Sequence, residues 1–95
     1  MQPCVYILTN DNNTTLYVGV TSDIEQRFAQ HCSGEGDTFT HRYGLHKLVF
    51  MEYHSTMMGA IAREKQLKGW SRKRKENLIG SVNPLWHDLI SDEDI

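Results

Sequence analysis

Two short apolar runs near the start of the chain, Cys4-Val5-Tyr6-Ile7-Leu8 and Leu16-Tyr17-Val18-Gly19-Val20, flank a segment centred on a run of turn formers, Asn10-Asp11-Asn12-Asn13. That spacing commits the chain to a tight antiparallel hairpin before anything else can form. The first run is apolar at every position, which predicts a strand covered on both faces. Asn tolerates positive φ, so the expected turn is the pair Asn12-Asn13. This register sets Asp11 against Thr14, Leu8 against Tyr17 and Tyr6 against Gly19. Tyr6 and Tyr17 become diagonal neighbours on one face. Gly19, lacking a side chain, leaves open space beside both rings.

The segment Ser22-Asp23-Ile24-Glu25 has the pattern of a capping box, with Ser22 at the N-cap. The helix it opens is expected to run to Cys32 or Ser33, ended by Gly34 and Gly36. Its inner stripe holds Ile24, Arg27, Phe28 and His31. Residues 34–44 read as a polar loop, and residues 45–53 as a third strand. Ser55 or Thr56 opens a second helix that ends near Lys68, with Gly69 in the position favoured after a helix and Trp70 packing back. The apolar stripe of that helix is Met57, Ala60, Ile61 and Leu67. At about 100° per residue, Glu64 falls in its middle, with Arg63 and Lys65 expected to point outward on either side. Ser71 caps a third helix, from Arg72 to about Leu78. Asn83-Pro84-Leu85-Trp86 reads as a turn with an aromatic anchor.

With 95 residues there is room for one core, which is expected to span residues 1–89 ahead of an acidic tail at 90–95. No apolar run approaches the roughly 20 residues of a membrane span, and the first residues lack the basic and apolar regions of a secretory signal. Two cysteines, Cys4 and Cys32, are too few for a disulfide framework, so a cytoplasmic protein with reduced thiols and no membrane contact is the expectation. The net charge of −2 conceals a split. Seven of the ten Lys and Arg (Arg63, Lys65, Lys68, Arg72, Lys73, Arg74 and Lys75) fall in one window with a single acid, Glu64. That window carries +6, and the remaining three bases and eleven acids leave −8 elsewhere. Two readings fit it: a solvated helix pair, or a face for phosphates.

A carboxylate centred in an apolar stripe is costly unless it is paired or bound to a cation. An Arg27–Glu64 ion pair is the simplest structural explanation. Yet the polar set also includes Tyr6, Tyr17, His31 and Asn83, more than a small core requires. Phosphodiester hydrolysis suits such a set. A forked guanidinium neutralises the scissile phosphate. One carboxylate can hold a Mg²⁺ that keeps its other waters, and a general base must take a proton from the attacking water. A tyrosine, with a pKa of about 10, needs a neighbouring imidazole or cation to act as that base.

These residues resemble a known family. Cys4-Val5-Tyr6 with Tyr17-Val18-Gly19, then Arg27 and His31, then Ala62-Arg63-Glu64-Lys65-Gln66-Leu67-Lys68, and finally Asn83-Pro84-Leu85-Trp86-His87-Asp88-Leu89 follow in the order seen in the GIY-YIG nuclease superfamily. The likeness extends over residues 3–89 and is greatest to its small stand-alone bacterial members. The chain departs from the signature at Cys4, which replaces the first Gly, and at Val5 and Val18. The resemblance implies an α+β fold, a small three-stranded antiparallel sheet flanked by helices. It also implies an endonuclease that cuts DNA with a single divalent metal, Mg²⁺ or Mn²⁺, on structured, nicked or damaged substrates in repair or recombination. By position, Tyr17 would be the general base or its partner, Tyr6 would orient the water or phosphate, and Arg27 would stabilise the pentavalent phosphate. His31 would assist them, Glu64 would be the sole protein metal ligand, and Asn83 would support it.

The alternative is a catalytically weak module that keeps the fold and binds nucleic acid or a protein partner. These 95 residues are not expected to hold an appended DNA-binding domain, so a partner that supplies targeting is part of either expectation. His41, His46, His54 and His87 are scattered and read as structural, and His31-Cys32 lacks zinc-ligand spacing. Trp70 and Trp86 read as packing anchors. Thr40 and Tyr43, in the loop before the third strand, are positioned to approach a substrate.

Overall fold

The computed structural model describes residues 2–32 and 43–89, and for residues 30–32 the backbone alone. Three strands, β1 (Cys4–Thr9), β2 (Leu16–Thr21) and β3 (Lys47–Tyr53), and three helices, α1 (Ile24–Cys32), α2 (Met57–Lys68) and α3 (Arg72–Val82), follow in the order β1-β2-α1-β3-α2-α3. All strand pairs are antiparallel, and the order β2-β1-β3 places β1 in the centre. This is the expected α+β sheet flanked by helices.

Every residue of β1 is buried, which explains why its sequence does not alternate. Val5 and Ile7 point to one face, where Val18, Val49, Phe50, Ala60, Leu67 and Ile79 complete a core beneath α2 and α3. Cys4, Tyr6 and Leu8 point to the other, where Ile24 and Phe28 of α1 join Leu45 and Leu48. Each face therefore has its own core, and β1 belongs to both.

The hairpin register is as expected, Leu8 opposite Tyr17 and Tyr6 opposite Gly19. The turn differs. Asn13 N–H donates to the Asn10 carbonyl at 3.0 Å, so residues 10–13 form the turn with Asp11 and Asn12 at its centre. Asn13 then adopts the positive φ of 57°. The expected Asp11–Thr14 pair is lost because the Asn10 side chain claims that backbone. Its carbonyl accepts from the Thr14 and Thr15 amides at 2.8 and 3.3 Å.

Helix α1 begins one residue later than the capping pattern suggests. Asp23, not Ser22, is the cap, and its carboxylate accepts from Gln26 N–H at 3.2 Å. The Thr21 hydroxyl accepts from Asp23 N–H at 3.1 Å and so fixes the entry to the helix. Helix α2 is capped by Thr56, which accepts from Gly59 N–H at 3.0 Å. Its buried line is narrower than the sequence implies: Ala60 and Leu67 are covered, whereas Met57 and Ile61 are each 37% exposed. Helix α3 continues to Val82, beyond the expected end at Leu78, because its buried anchor is Ile79. A six-residue arm, 83–88, leads back to the sheet after it.

That arm repairs an irregularity in β3. Ile7 pairs with Phe50 but Leu8 pairs with Leu48, so Val49 is an extra residue in a β-bulge. Asn83, at the C-cap of α3, donates one amide hydrogen to the Val49 carbonyl at 3.0 Å and another to the His87 carbonyl at 2.8 Å. Its own carbonyl accepts from His87 N–H at 3.1 Å. Leu48, on the outer side of the same strand, donates N–H to Asp88 and accepts from Leu89 N–H at 2.7 Å. One sheet edge is thereby satisfied by the chain itself.

Candidate active site

The site begins with a close approach. A β-carbon placed on Gly19 would lie under 3.0 Å from Tyr6 Cε2, Cζ and Oη. The space opposite Tyr6, expected to be open, is filled by the tyrosine's own ring. The hydroxyl end of Tyr6 therefore lies across β2, an edge strand of the sheet. The Tyr17 ring stands beside it, with centroids 6.5 Å apart and planes inclined at 39°. Tyr6 is buried and Tyr17 partly exposed, so the pair passes from the α1-side core outward to solvent.

Helix α1 covers this face. Ile24 and Phe28 form its buried line, and Arg27 is half-buried one turn from the N-terminus. His31 lies in the last turn of α1, one turn beyond Arg27, and its side chain is outside the described residues, as are Thr40 and His41. Tyr43 is exposed.

Glu64 comes from the other face of the sheet. On α2, Arg63 and Glu64 flank the buried Ala60–Leu67 line on opposite sides. Arg63 does not point outward: its Nε donates to Glu52 Oε1 of β3 at 3.0 Å, and its Nη1 to Gln66 at 2.6 Å. That contact fixes the rotation of the helix. With the Arg63 flank tied towards β3, Glu64 lies on the opposite flank of a helix that packs against β2 and β1. The Tyr6 hydroxyl lies over β2 from the α1 side, and Glu64 stands on a helix packed on the other face of the sheet. Glu64 is the less accessible partner of an ion pair with Lys68, Nζ to Oε2 at 3.2 Å, its side chain 15% exposed against 53% for the lysine. Among the described residues the carboxylate is paired with Lys68, not with Arg27.

Asn83 is 5% exposed, and its amide is engaged by Val49 and His87 as described above. Its placement is at the bulge of β3. Of the seven bases in the +6 window, several are likewise held by the fold. Arg72 pairs with Glu76 at 2.9 Å and donates to the Asn13 and Thr14 carbonyls, clamping α3 to the hairpin turn. Arg63 and Arg74 lie over the Trp70 ring, 5.2 and 4.0 Å from its centroid. Trp70 and Trp86 both pack against the core beneath α2 and α3, as packing anchors do. Lys65 and Lys73 project from the helices as exposed ammonium groups.

Sequence reasoning missed Glu52. It joins Arg63 to His54, whose Nε2 lies 2.8 Å from Glu52 Oε1. The available signal was a lone acid at the end of an apolar strand, facing the helix that carries Arg63. Behind it, burial pushes the Cys4 thiol above its ordinary value; a hydrogen bond with the Glu52 backbone partly offsets this, and the Glu52 charge adds to it.

The donor set limits which ion could be held. No group of three or more His, Cys, Asp or Glu converges among the described residues, so nothing there resembles a zinc or calcium cage. A single shielded carboxylate fits a hydrated Mg²⁺ or Mn²⁺, which retains most of its water.

The family profile described as the GIY-YIG catalytic domain matches residues 2–77, and the chain belongs to this family. GIY-YIG domains are in general those of nucleases, which act on nucleic acids. Among its relatives are UPF0213 proteins of Pseudomonas aeruginosa, 36% identical over 78 residues (82% of this chain and 74% of that one), and of Syntrophus aciditrophicus, 41% identical over 76 residues (79% and 86%). The solution NMR structure of a UPF0213 protein from Bacillus halodurans is 28% identical, covers 96% of both chains and superposes with a TM-score of 0.60. No helix among the described residues is long and apolar enough to cross a membrane.

Proposed function

We propose that this protein is a divalent-metal-dependent endonuclease that hydrolyses phosphodiester bonds in DNA in the cytoplasm. The observation that supports the reading is the pair of phenols brought together at Gly19, with a shielded carboxylate on the helix that packs against the same strand. A carboxylate shielded beside a buried helical line costs stability unless it is paired or binds a cation.

In this mechanism Glu64 holds Mg²⁺ or Mn²⁺, which when bound acts as a Lewis acid at the scissile phosphate. Arg27 donates to the non-bridging oxygens and stabilises the charge that builds on the pentavalent phosphorus. Tyr17, the more accessible phenol, passes its own Oη proton to the His31 imidazole as it takes the proton of the attacking water through the same oxygen. Tyr6 fixes the direction of that water, its ring held in place by the backbone of Gly19. His31 assists the proton transfer. Asn83 acts through the fold, holding the β3 bulge and the 83–88 arm rather than touching substrate.

A panel of duplex, nicked, flap and four-way-junction DNAs, incubated with Mg²⁺ or Mn²⁺, tests the reading. Wild type is expected to cut at least one of them. Glu64→Ala and Arg27→Ala are expected to lose roughly 10²–10³-fold in rate, as Tyr17→Phe is. Cutting by Glu64→Ala at the wild-type rate would refute the assignment. Binding without cutting would support instead a module that keeps the fold and works through a partner.

A further inference from the structure

The carboxylate assigned to the metal already carries a cation. Lys68 Nζ sits 3.2 Å from Glu64 Oε2, one helical turn along α2. An exposed Glu–Lys pair at this spacing is ordinary and worth little. This one is asymmetric. The acid is shielded at 15% exposure on the buried side of the helix, while the lysine, at 53%, has most of its length in solvent. A shielded carboxylate gains more from a cation than an exposed one, and a solvated lysine can be released at small cost.

We propose that Lys68 is a resident placeholder for the divalent metal: it neutralises Glu64 in the metal-free protein, is displaced on metal loading, and then swings to a phosphate of the bound nucleic acid. The inference rests on the reading of Glu64 as metal ligand. It also goes beyond that reading, because it assigns one lysine two successive partners. Lys68 lies on the flank of α2 that faces away from the Arg63–Glu52 tie, the same flank as Lys65. Once released, its ammonium joins Lys65 in a short basic row beside the site. Metal loading and nucleic-acid binding then favour each other. Each removes a competitor of the other, the metal by freeing Lys68 and the phosphate by holding it away from Glu64.

The first measurement is Mn²⁺ binding to the whole chain, followed by the electron paramagnetic resonance of free Mn²⁺, with no nucleic acid and no turnover. Lys68→Met is expected to bind Mn²⁺ roughly two- to ten-fold more tightly than wild type. Lys68→Arg, which keeps the charge, should match wild type, and Glu64→Gln should bind least. If Lys68→Met and wild type bind equally while Glu64→Gln has lost affinity, the placeholder is overturned and the metal site stands. If Glu64→Gln binds as well as wild type, the metal assignment itself fails. The second measurement is the salt dependence of duplex DNA binding with and without Mn²⁺, in proteins that also carry Tyr17→Phe so that the DNA is not cut. With Lys68 present the slope of log affinity against log salt should steepen by roughly 0.9 when Mn²⁺ is added, and with Lys68→Met it should not. An identical change in both proteins would overturn the second half of the proposal.

Discussion

A methyl group at residue 19 would have to occupy volume that the Tyr6 ring already fills. Gly19→Ala is therefore an overpacking change against an aromatic ring rather than a loss of backbone freedom. We expect it to destabilise the fold by about 1–3 kcal/mol in urea titrations and to cut activity further by moving the Tyr6 hydroxyl. Asn83→Ala should cost a similar amount, about 1–3 kcal/mol, because it leaves the Val49 carbonyl without its partner at a bulge. Its remaining activity per folded molecule should stay near wild type, unlike that of Glu64→Ala, if the residue works only through the fold. Cys4 offers a pH signature. Its thiol is held protonated by burial, so in the folded state it ionises at higher pH than in the unfolded chain. The unfolded state then loses protons first as pH rises past the thiol's ordinary value of 9.0, and stability falls there. Cys4→Ala should show a shallower decline in urea stability than wild type between neutral and alkaline pH.

At the scale of elements, the hairpin register was legible because a period of two with tyrosine and glycine at fixed places admits few alignments. The turn inside it was not legible, since four successive turn formers leave several closures open and the choice fell to the Asn10 side chain. The same ambiguity moved the α1 cap from Ser22 to Asp23: both residues cap well, and the Thr21 hydroxyl decides between them. The shielding of Glu64 was legible from helical spacing alone. Its partner was not, because an acid on a stripe does not announce whether it will meet an arginine from another helix or a lysine one turn away. Arg63 was misplaced for a related reason. A helical projection says which flank a residue occupies, but not that β3 offers it a carboxylate. The clamp by Arg72 ties α3 to the hairpin across 58 and 59 positions of sequence. Arg72→Ala should loosen that turn, and faster amide exchange at Thr14 and Thr15, with little change in β1, is the expected readout.

For the molecule as a whole, the concentration of positive charge is smaller in effect than in sequence. Arg63, Arg72 and Arg74 are held by Glu52, Glu76 and Trp70, and Lys68 by Glu64, which leaves Lys65, Lys73 and Lys75 to meet phosphates. Changing Lys65, Lys73 and Lys75 together to Gln should flatten the salt slope of duplex binding by up to about 2.7, at roughly 0.9 per phosphate contact. Changing Arg74 to Gln should instead act mainly on stability.

Central strand β1 has one further consequence. Its alternate residues feed two separate cores, and the aromatic groups are sorted between them: Tyr6 and Tyr17 on one side of the sheet, Trp70 and Trp86 on the other. Each core therefore carries its own optical label, tyrosine absorbance for one and tryptophan emission for the other. Because neither core can open without disturbing a strand that belongs to both, the two signals should change at the same urea concentration. In that sense β1 is the hinge pin of cooperativity, and the chain reports on both sides of it without any added dye.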